Sequence, residues 1–147
     1  MKDSLKIVIA GATGYIGLEL VKILLKHPKA KILYLCASKS IGKSINYFDK
    51  KIKSNSLPKI TNIDKVNWKG IDVLFTALPN GEAQKIIKIL PKNIILIDLS
   101  ADFRLKSHQL YKKWYGINHK SKKLIKDSIY SVTEFSKKKL TKFKIIS

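Results

Sequence analysis

The chain has 147 residues, which is long enough for one domain with its own hydrophobic core and short for two. Hydrophobic residues make up 45% of it, which argues against wholesale disorder. The formal net charge of +20 suggests a nucleic-acid partner. However, Arg104 is the single arginine among 30 basic residues, and surfaces that bind phosphates or bases favour the planar guanidinium of arginine. We therefore expect no nucleic-acid partner.

Cysteine content and hydropathy indicate the compartment. Cys36 is the single cysteine, so no disulfide can form within the chain and a reducing environment is expected. No signal-peptide segment precedes the first apolar run, and no apolar stretch approaches transmembrane length. We predict a cytoplasmic protein with no membrane partner.

The first predicted elements form a βαβ unit. Leu5–Ala10 is a short apolar run typical of a buried strand, Tyr15–His27 is a helix ended by Pro28, and Lys31–Cys36 is a second strand. The helix is predicted to bury one apolar face, made of Ile16, Leu20, Ile23 and Leu24. Such a unit opens a parallel sheet.

The rest of the chain continues the alternation after a polar interval. Residues 38–69 are polar and lysine-rich, and we predict loop there with one edge strand. Beyond them the predicted order is strand, helix, strand, short helix and strand, at Asp72–Leu78, Gly81–Leu90, Asn93–Leu99, Ser107–Tyr115 and Lys142–Ser147. The lysine clusters at 120–126 and 137–139 are interpreted as solvated faces. The pattern predicts an α/β fold, a Rossmann-like, doubly wound and mostly parallel sheet.

A glycine turn, GATGYIG, joins the first strand to the first helix. Glycines there permit a sharp bend, close approach to a pyrophosphate and tight packing of helix on strand, and the phosphates bind N–H groups at the helix N-terminus. The spacing GxxGxxG alone is weak, but its place between strand and helix is what a dinucleotide site requires. The predicted cofactor contacts are Gly11, Thr13, Gly14, Tyr15, Ile16 and Gly17.

The end of the second strand indicates which dinucleotide binds. An NAD site usually places an acidic residue there for the ribose 2′-OH, and this chain has none between Glu19 and Asp49. Ser38 can donate to a 2′-phosphate, and Lys39 or Lys43 can neutralise it. With Gly42 in the same loop, these residues favour NADP over NAD.

Two later segments follow predicted strands, where ligands of open α/β sheets bind. Leu78, Pro79 and Asn80 follow one strand, with Asn80 either capping the next helix or contacting the cofactor. Ser100 and Ala101 follow the other and are expected beside the nicotinamide.

Asp102 and Arg104 lie just beyond and have two interpretations. They form a buried ion pair that pins the loop, or the Arg104 guanidinium faces an anionic substrate group. His119, in a lysine-rich loop, is expected to be solvated, and no metal ligand is assigned.

Several motifs together resemble one enzyme family. GATGYIGLEL, SKSIGKS, ALPNGEA, LIDLSADFR, YKKWYGINH and IYSVTEF, in this order, are similar to N-acetyl-gamma-glutamyl-phosphate reductase, a relative of aspartate-semialdehyde dehydrogenase. The resemblance covers essentially all 147 residues. Asn80 replaces a frequent histidine of the family, and Ser131 a usual glycine.

The resemblance implies an NADP-dependent oxidoreductase of arginine biosynthesis. In that family a cysteine thiolate attacks N-acetylglutamyl 5-phosphate, and NADPH then supplies hydride to give the semialdehyde and phosphate. The family's nucleophile follows a strand that KFKIIS resembles, and Cys36 is expected to be a buried hydrophobe.

We therefore expect residues 1–147 to be an N-terminal NADP-binding fragment that is inactive alone. The resemblance places the catalytic residues and substrate domain elsewhere and leaves the sheet incomplete without the family's C-terminal part. The full-length protein is expected to bind a small acyl phosphate and to form a homo-oligomer.

Two alternatives stay open. The first is a related reductase acting on aspartyl phosphate or a carrier-bound aminoadipyl phosphate. The second is a standalone module that binds NADP, or a basic one that binds nucleic acid, without catalysis.

Overall fold

The computed structural model of the protein describes residues 4–53 and 56–147. Within these ranges the chain divides into two compact units, Met1–Ala77 and Leu78–Ser147, and each contains parallel strands and helices. Every described strand pair within a unit is parallel, which confirms the predicted α/β class and strand direction.

The first unit is built on strands in the order β3-β2-β1-β4. Its elements are β1 (Leu5–Ala10), α1 (Tyr15–Leu25), β2 (Ala30–Cys36), β3 (Ile60–Thr61) and β4 (Val73–Thr76). Four consecutive residues of β1, Ile7 to Ala10, are buried, because a central parallel strand is covered on both faces.

The polar interval of the first unit follows the prediction. It contains short 3₁₀ turns at Ile45–Tyr47 and Ile63–Lys65, and β3 is the edge strand expected there. Residues 54 and 55 of this interval lie outside the described residues.

Helix α1 buries a face that agrees with the predicted one at Leu24 but not at Ile16 and Ile23. Gly17, Val21 and Leu24 are buried, whereas Ile16 and Ile23 are 51% and 63% exposed. A Cβ on Gly17 would lie 2.1 Å from the Gly11 carbonyl oxygen, so the helix approaches the turn most closely at this residue. The apolar pattern does not reveal the burial of Gly17, because glycine has no side chain to count.

The second unit contains strands in the order β5-β7-β6. Its elements are α2 (Ala83–Ile86), β5 (Ile95–Asp98), α3 (His108–Tyr115), β6 (Ser128–Ile129), α4 (Thr133–Leu140) and β7 (Ile145–Ile146). Helix α3 matches the prediction, because the Ser107 hydroxyl accepts from the Leu110 N–H at its start and Gly116, with φ of +71°, ends it.

Three features of the second unit differ from prediction. Helix α2 has four residues instead of ten, since Lys88 and Ile89 donate to carbonyls three residues back ahead of Pro91. Helix α4 and strand β6 were not predicted. Phe135 of α4 is 90% exposed, so this helix has no clear apolar stripe to reveal it.

The helices are short. The longest in the described ranges is α1, with 11 residues. In these ranges, no helix combines the length and apolar character needed to cross a membrane.

The α1 face gives a direct stability test. Truncating fully buried Val21 to alanine is expected to lower the free energy of unfolding by about 2 kcal/mol, because it leaves a cavity. Ile23→Ala removes a larger but exposed side chain and is expected to cost below about 0.5 kcal/mol. Urea unfolding of both variants measures the difference; a larger loss for Ile23→Ala would restore the predicted face.

Candidate functional site

The glycine turn is bound to the end of β2. The N–H groups of Gly11 and Ala12 both donate to the Cys36 carbonyl oxygen, at 2.9 and 3.1 Å. Gly11 has φ of +84°, the left-handed conformation that glycine adopts at little cost, and its own carbonyl accepts from the Gly14 N–H at 3.1 Å. The start of the turn is therefore fixed beside the carboxyl end of β2.

The first N–H groups of α1 are not paired within the helix. The first bond of the helix runs from the Leu18 N–H to the Gly14 carbonyl at 2.9 Å, so the N–H groups of Tyr15, Ile16 and Gly17 have no acceptor within the helix. Gly14 is the N-cap and has no side chain to satisfy them. Together with the helix dipole, these donors suit a phosphate group.

The loop after β2 carries the predicted 2′-phosphate residues. Ser38 and Lys39 are exposed, and Gly42 has φ of +82°. The Gly42 N–H donates to the Ile60 carbonyl at 2.8 Å, and the Ile60 N–H donates to the Lys43 carbonyl at 2.9 Å. The loop thus lies at the same end of β2 as the glycine turn.

The next acidic residue, Asp49, is already engaged. Its Oδ1 accepts from the Lys51 N–H at 2.9 Å, and its Oδ2 lies 3.1 Å from the Lys22 ammonium of α1. These two partners lower the pKa of Asp49 below its usual value, the Lys51 N–H having the larger effect. Asp49 therefore does not replace the carboxylate that an NAD site places at the end of the second strand.

Cys36 contributes its backbone rather than its thiol to this region. The residue is 2% exposed, and burial raises the pKa of the thiol to about 12. A thiol with this pKa is protonated at neutral pH and is a poor nucleophile. Cys36 therefore provides no catalytic thiolate.

In the second unit, the turn after β5 is held by a relay of polar groups. The Ser100 hydroxyl donates to the Asp98 carboxylate at 2.8 Å, and the Ser100 N–H donates to Asp98 Oδ1 at 3.1 Å. The Asp102 N–H in turn donates to Ser100 Oγ at 3.2 Å. The backbone of Ser100 and Ala101 is fixed as a result.

The carboxylate of Asp102 is fully buried and accepts three hydrogen bonds. Oδ1 accepts from the Gly81 N–H at 2.7 Å and from the Tyr111 hydroxyl at 2.6 Å, and Oδ2 accepts from the Gln84 N–H at 3.2 Å. Asp102 thereby connects the start of α2 to α3, and its side chain is not accessible to a substrate.

Asn80 bridges the two predicted cofactor segments of the second unit. Its Oδ1 accepts from the Ala101 N–H at 3.4 Å, which brings Leu78, Pro79 and Asn80 beside Ser100 and Ala101. Asn80 does not cap α2, whose N-cap is Glu82 without a side-chain hydrogen bond. The capping interpretation is wrong, because the amide already serves the neighbouring turn.

The predicted ion pair between Asp102 and Arg104 is not formed. Arg104 is exposed, its Nη2 donates to the Ser100 carbonyl at 3.0 Å, and its guanidinium lies 5.6 Å from the ring centroid of Tyr130. Three neutral donors already surround the Asp102 carboxylate, so no cation is needed there. Arg104 thus presents its charge on the surface.

His119 is buried, which contradicts the predicted solvated position. Its Nδ1 accepts from the Ser121 N–H at 3.1 Å, so Nε2 carries the proton and donates to the Asp102 carbonyl at 2.7 Å. Burial lowers the pKa of His119. The lysines around it in the sequence gave no signal of this packing.

Three other side chains of this cluster were also missed from sequence. Gln84, Tyr111 and Ser121 are buried, and Ser121 Oγ donates to the Gln84 carbonyl at 2.7 Å. We call these residues together with Asp102 and His119 the Asp102 cluster. No group of acidic, histidine or cysteine residues that could hold a metal ion occurs in the part of the chain that the structure describes.

The Tyr111 hydroxyl is expected to stabilise the Asp102 cluster. Tyr111→Phe removes one donor to a buried carboxylate and should lower the free energy of unfolding by about 1–3 kcal/mol. Tyr115→Phe removes the hydroxyl of the half-buried neighbouring ring of α3 and is the matched control. It should change the free energy of unfolding by less than about 0.5 kcal/mol. Equal values for the two variants in urea unfolding would contradict the assigned bond.

His119 should make stability depend on pH. Because burial lowers its pKa in the folded state, the unfolded chain binds the proton first, and stability should fall as pH decreases below about 6.5. The nearby charges of His108 and Lys122 also lower the pKa, while Asp102 raises it. His119→Gln should reduce the slope of unfolding free energy between pH 7.5 and 5.5, with His27→Gln, which lies in the first unit, as control. An unchanged slope in His119→Gln would refute the assignment.

Comparisons with known proteins agree with this architecture. The family model described as "Semialdehyde dehydrogenase, NAD binding domain" matches residues 6–143. N-acetyl-gamma-glutamyl-phosphate reductase of Ehrlichia canis is 43% identical over 91% of this chain and 39% of its own length. The enzyme of the same name from Paracoccus denitrificans is 38% identical over 90% and 39%. This chain thus spans about two fifths of these curated relatives.

Solved structures show the same fold. Aspartate semialdehyde dehydrogenase II of Vibrio cholerae matches with a TM-score of 0.69 and 19% identity, over 97% of this chain and 41% of that one. Aspartate semialdehyde dehydrogenase with NADP from Candida albicans matches with a TM-score of 0.57 and 24% identity, over 71% and 32%. The predicted Rossmann-like fold and the resemblance to the reductases are confirmed. The chain belongs to the family of semialdehyde dehydrogenase NAD-binding domains.

Proposed function

We propose that residues 1–147 are the NADP-binding part of an N-acetyl-gamma-glutamyl-phosphate reductase. The whole enzyme would reduce N-acetylglutamyl 5-phosphate to N-acetylglutamate 5-semialdehyde and phosphate in arginine biosynthesis. Support for this reaction comes from relatives of that name at 34–43% identity over most of the chain. The structural observation that carries the cofactor is the glycine turn bonded to an acid-free end of β2.

The first unit supplies the groups for the phosphates. The N–H groups of Tyr15, Ile16 and Gly17 would bind the pyrophosphate, with Gly11 and Gly14 shaping the turn and Thr13 beside it. At the end of β2, the Ser38 hydroxyl would bind the 2′-phosphate and a lysine of the same loop, Lys39 or Lys43, would neutralise it, while Gly42 lets the loop turn back. These assignments place phosphate charge against donors and cations only.

The second unit supplies candidate contacts to the nicotinamide. Leu78, Pro79 and Asn80 are held next to Ser100 and Ala101 by the Asn80 bond, so the two segments lie side by side. NADPH would supply hydride when bound. The role of these residues would be to orient the ring, and that of the Asp102 cluster to keep the two segments in place.

The substrate side of the proposal rests on fewer groups. Arg104 is the exposed guanidinium of the second unit and would pair with an anionic group of the acyl phosphate. The nucleophile must come from outside these 147 residues, because buried Cys36 is their one cysteine. The full-length protein would be a cytoplasmic homo-oligomer acting on this small molecule, with no role for nucleic acid or membrane.

The cofactor proposal predicts discrimination between NADPH and NADH. The 147-residue chain should bind NADPH at least about tenfold more tightly, since a charge-assisted contact to the 2′-phosphate is worth more than about 1.4 kcal/mol. Titration of each reduced cofactor, followed by nicotinamide fluorescence, gives both dissociation constants.

Two results would contradict the proposal. NADH binding equal to or tighter than NADPH binding would remove the 2′-phosphate assignment. Phosphate-dependent oxidation of N-acetylglutamate semialdehyde by the 147-residue chain would show that it contains a nucleophile that the structure does not provide.

A further inference from the structure

We infer that Lys43 is the cation that distinguishes NADPH from NADH and that Tyr47 is the positioning residue that holds it. This inference rests on the proposed function and specifies its 2′-phosphate contact. The sequence offers Lys39 and Lys43 as equivalent choices, and the structure separates them.

Lys43 lies close to the carboxyl end of β2. Its carbonyl accepts from the Ile60 N–H at 2.9 Å, and Ile60 is paired with Leu35 in the parallel register of β2 and β3. Lys43 is therefore bonded to the strand that lies beside the last residues of β2. Cys36, which ends β2, also accepts the two N–H groups that open the glycine turn.

The Lys43 side chain is held by an aromatic ring. The Lys43 ammonium lies over the Tyr47 ring, 3.9 Å from its centroid. Tyr47 is in turn in edge contact with Phe48, with centroids 5.3 Å apart and planes at 77°. Buried Ile45 anchors the 3₁₀ turn that carries Tyr47. The ring restricts a side chain that would otherwise be mobile, so less conformational entropy is lost when an anion binds.

No carboxylate of the described residues competes with a phosphate for the Lys43 ammonium. Within residues 4–53 and 56–147, Lys43 forms no ion pair with a carboxylate, and Asp49, the acidic residue nearest to it in the sequence, is engaged by Lys22 and the Lys51 N–H. One side of the ammonium faces the ring, which leaves N–H donors for a phosphate oxygen. Lys39, exposed at the tip of the loop, makes no ring contact in the described residues.

The experiment measures dissociation constants for NADPH and NADH in the full 147-residue chain and five variants. Lys43→Ala should weaken NADPH binding about tenfold and leave NADH binding within about twofold. Tyr47→Leu should weaken NADPH binding roughly two- to fivefold. Tyr47→Phe should bind NADPH as tightly as the unsubstituted chain, because phenylalanine keeps the ring face. Lys39→Ala should weaken NADPH binding less than Lys43→Ala does. Lys31→Ala, at the opposite end of β2, controls for the loss of one positive charge.

The outcomes separate this inference from the proposed function. If the unsubstituted chain does not prefer NADPH, the proposed cofactor is wrong and the inference fails with it. If the unsubstituted chain prefers NADPH but Lys43→Ala keeps that preference, or Lys39→Ala alone removes it, only the inference is overturned. A Tyr47→Phe variant that behaves like Tyr47→Leu, or NADH binding that weakens in parallel, would overturn the positioning role of the ring.

Discussion

The candidate cofactor region depends on two hydrogen bonds, which the Cys36 carbonyl accepts from the N–H groups of Gly11 and Ala12. They fix the glycine turn to the end of β2, and the missing side chain of Gly17 lets α1 start directly above that turn. The helix donors and the Ser38–Lys43 loop are consequently placed at one end of the same strand.

The Asp102 cluster has the corresponding role in the second unit. A buried carboxylate would be costly alone, and here two backbone N–H groups and one phenol satisfy it. The backbone carbonyl of Asp102 also accepts from neutral His119. Because one residue connects the start of α2, the turn after β5 and α3, hydrogen bonds hold the segments carrying Asn80 and Ser100.

The sequence predicted more of the fold than of the polar interior. Strand β1 was predicted because a short apolar run is a local signal, and helix α3 was predicted within the bounds that its Ser107 cap and Gly116 set in the structure. The buried face of α1 was predicted at Leu24 but not at Gly17, because packing at a glycine leaves no apolar pattern. His119 and the separation of Asp102 from Arg104 depend on tertiary neighbours distant in sequence, which no local spacing reveals.

We propose that the phosphates of NADP bind the glycine turn and the end of β2. Amide chemical shifts in ¹⁵N-labelled protein, recorded with saturating NADPH and then NADH, test it residue by residue. We expect the Tyr15, Ile16 and Gly17 amides to shift with both cofactors, and those of residues 38–43 to shift strongly with NADPH alone. Unchanged amides at the start of α1, or equal shifts of residues 38–43 with NADH, would contradict it.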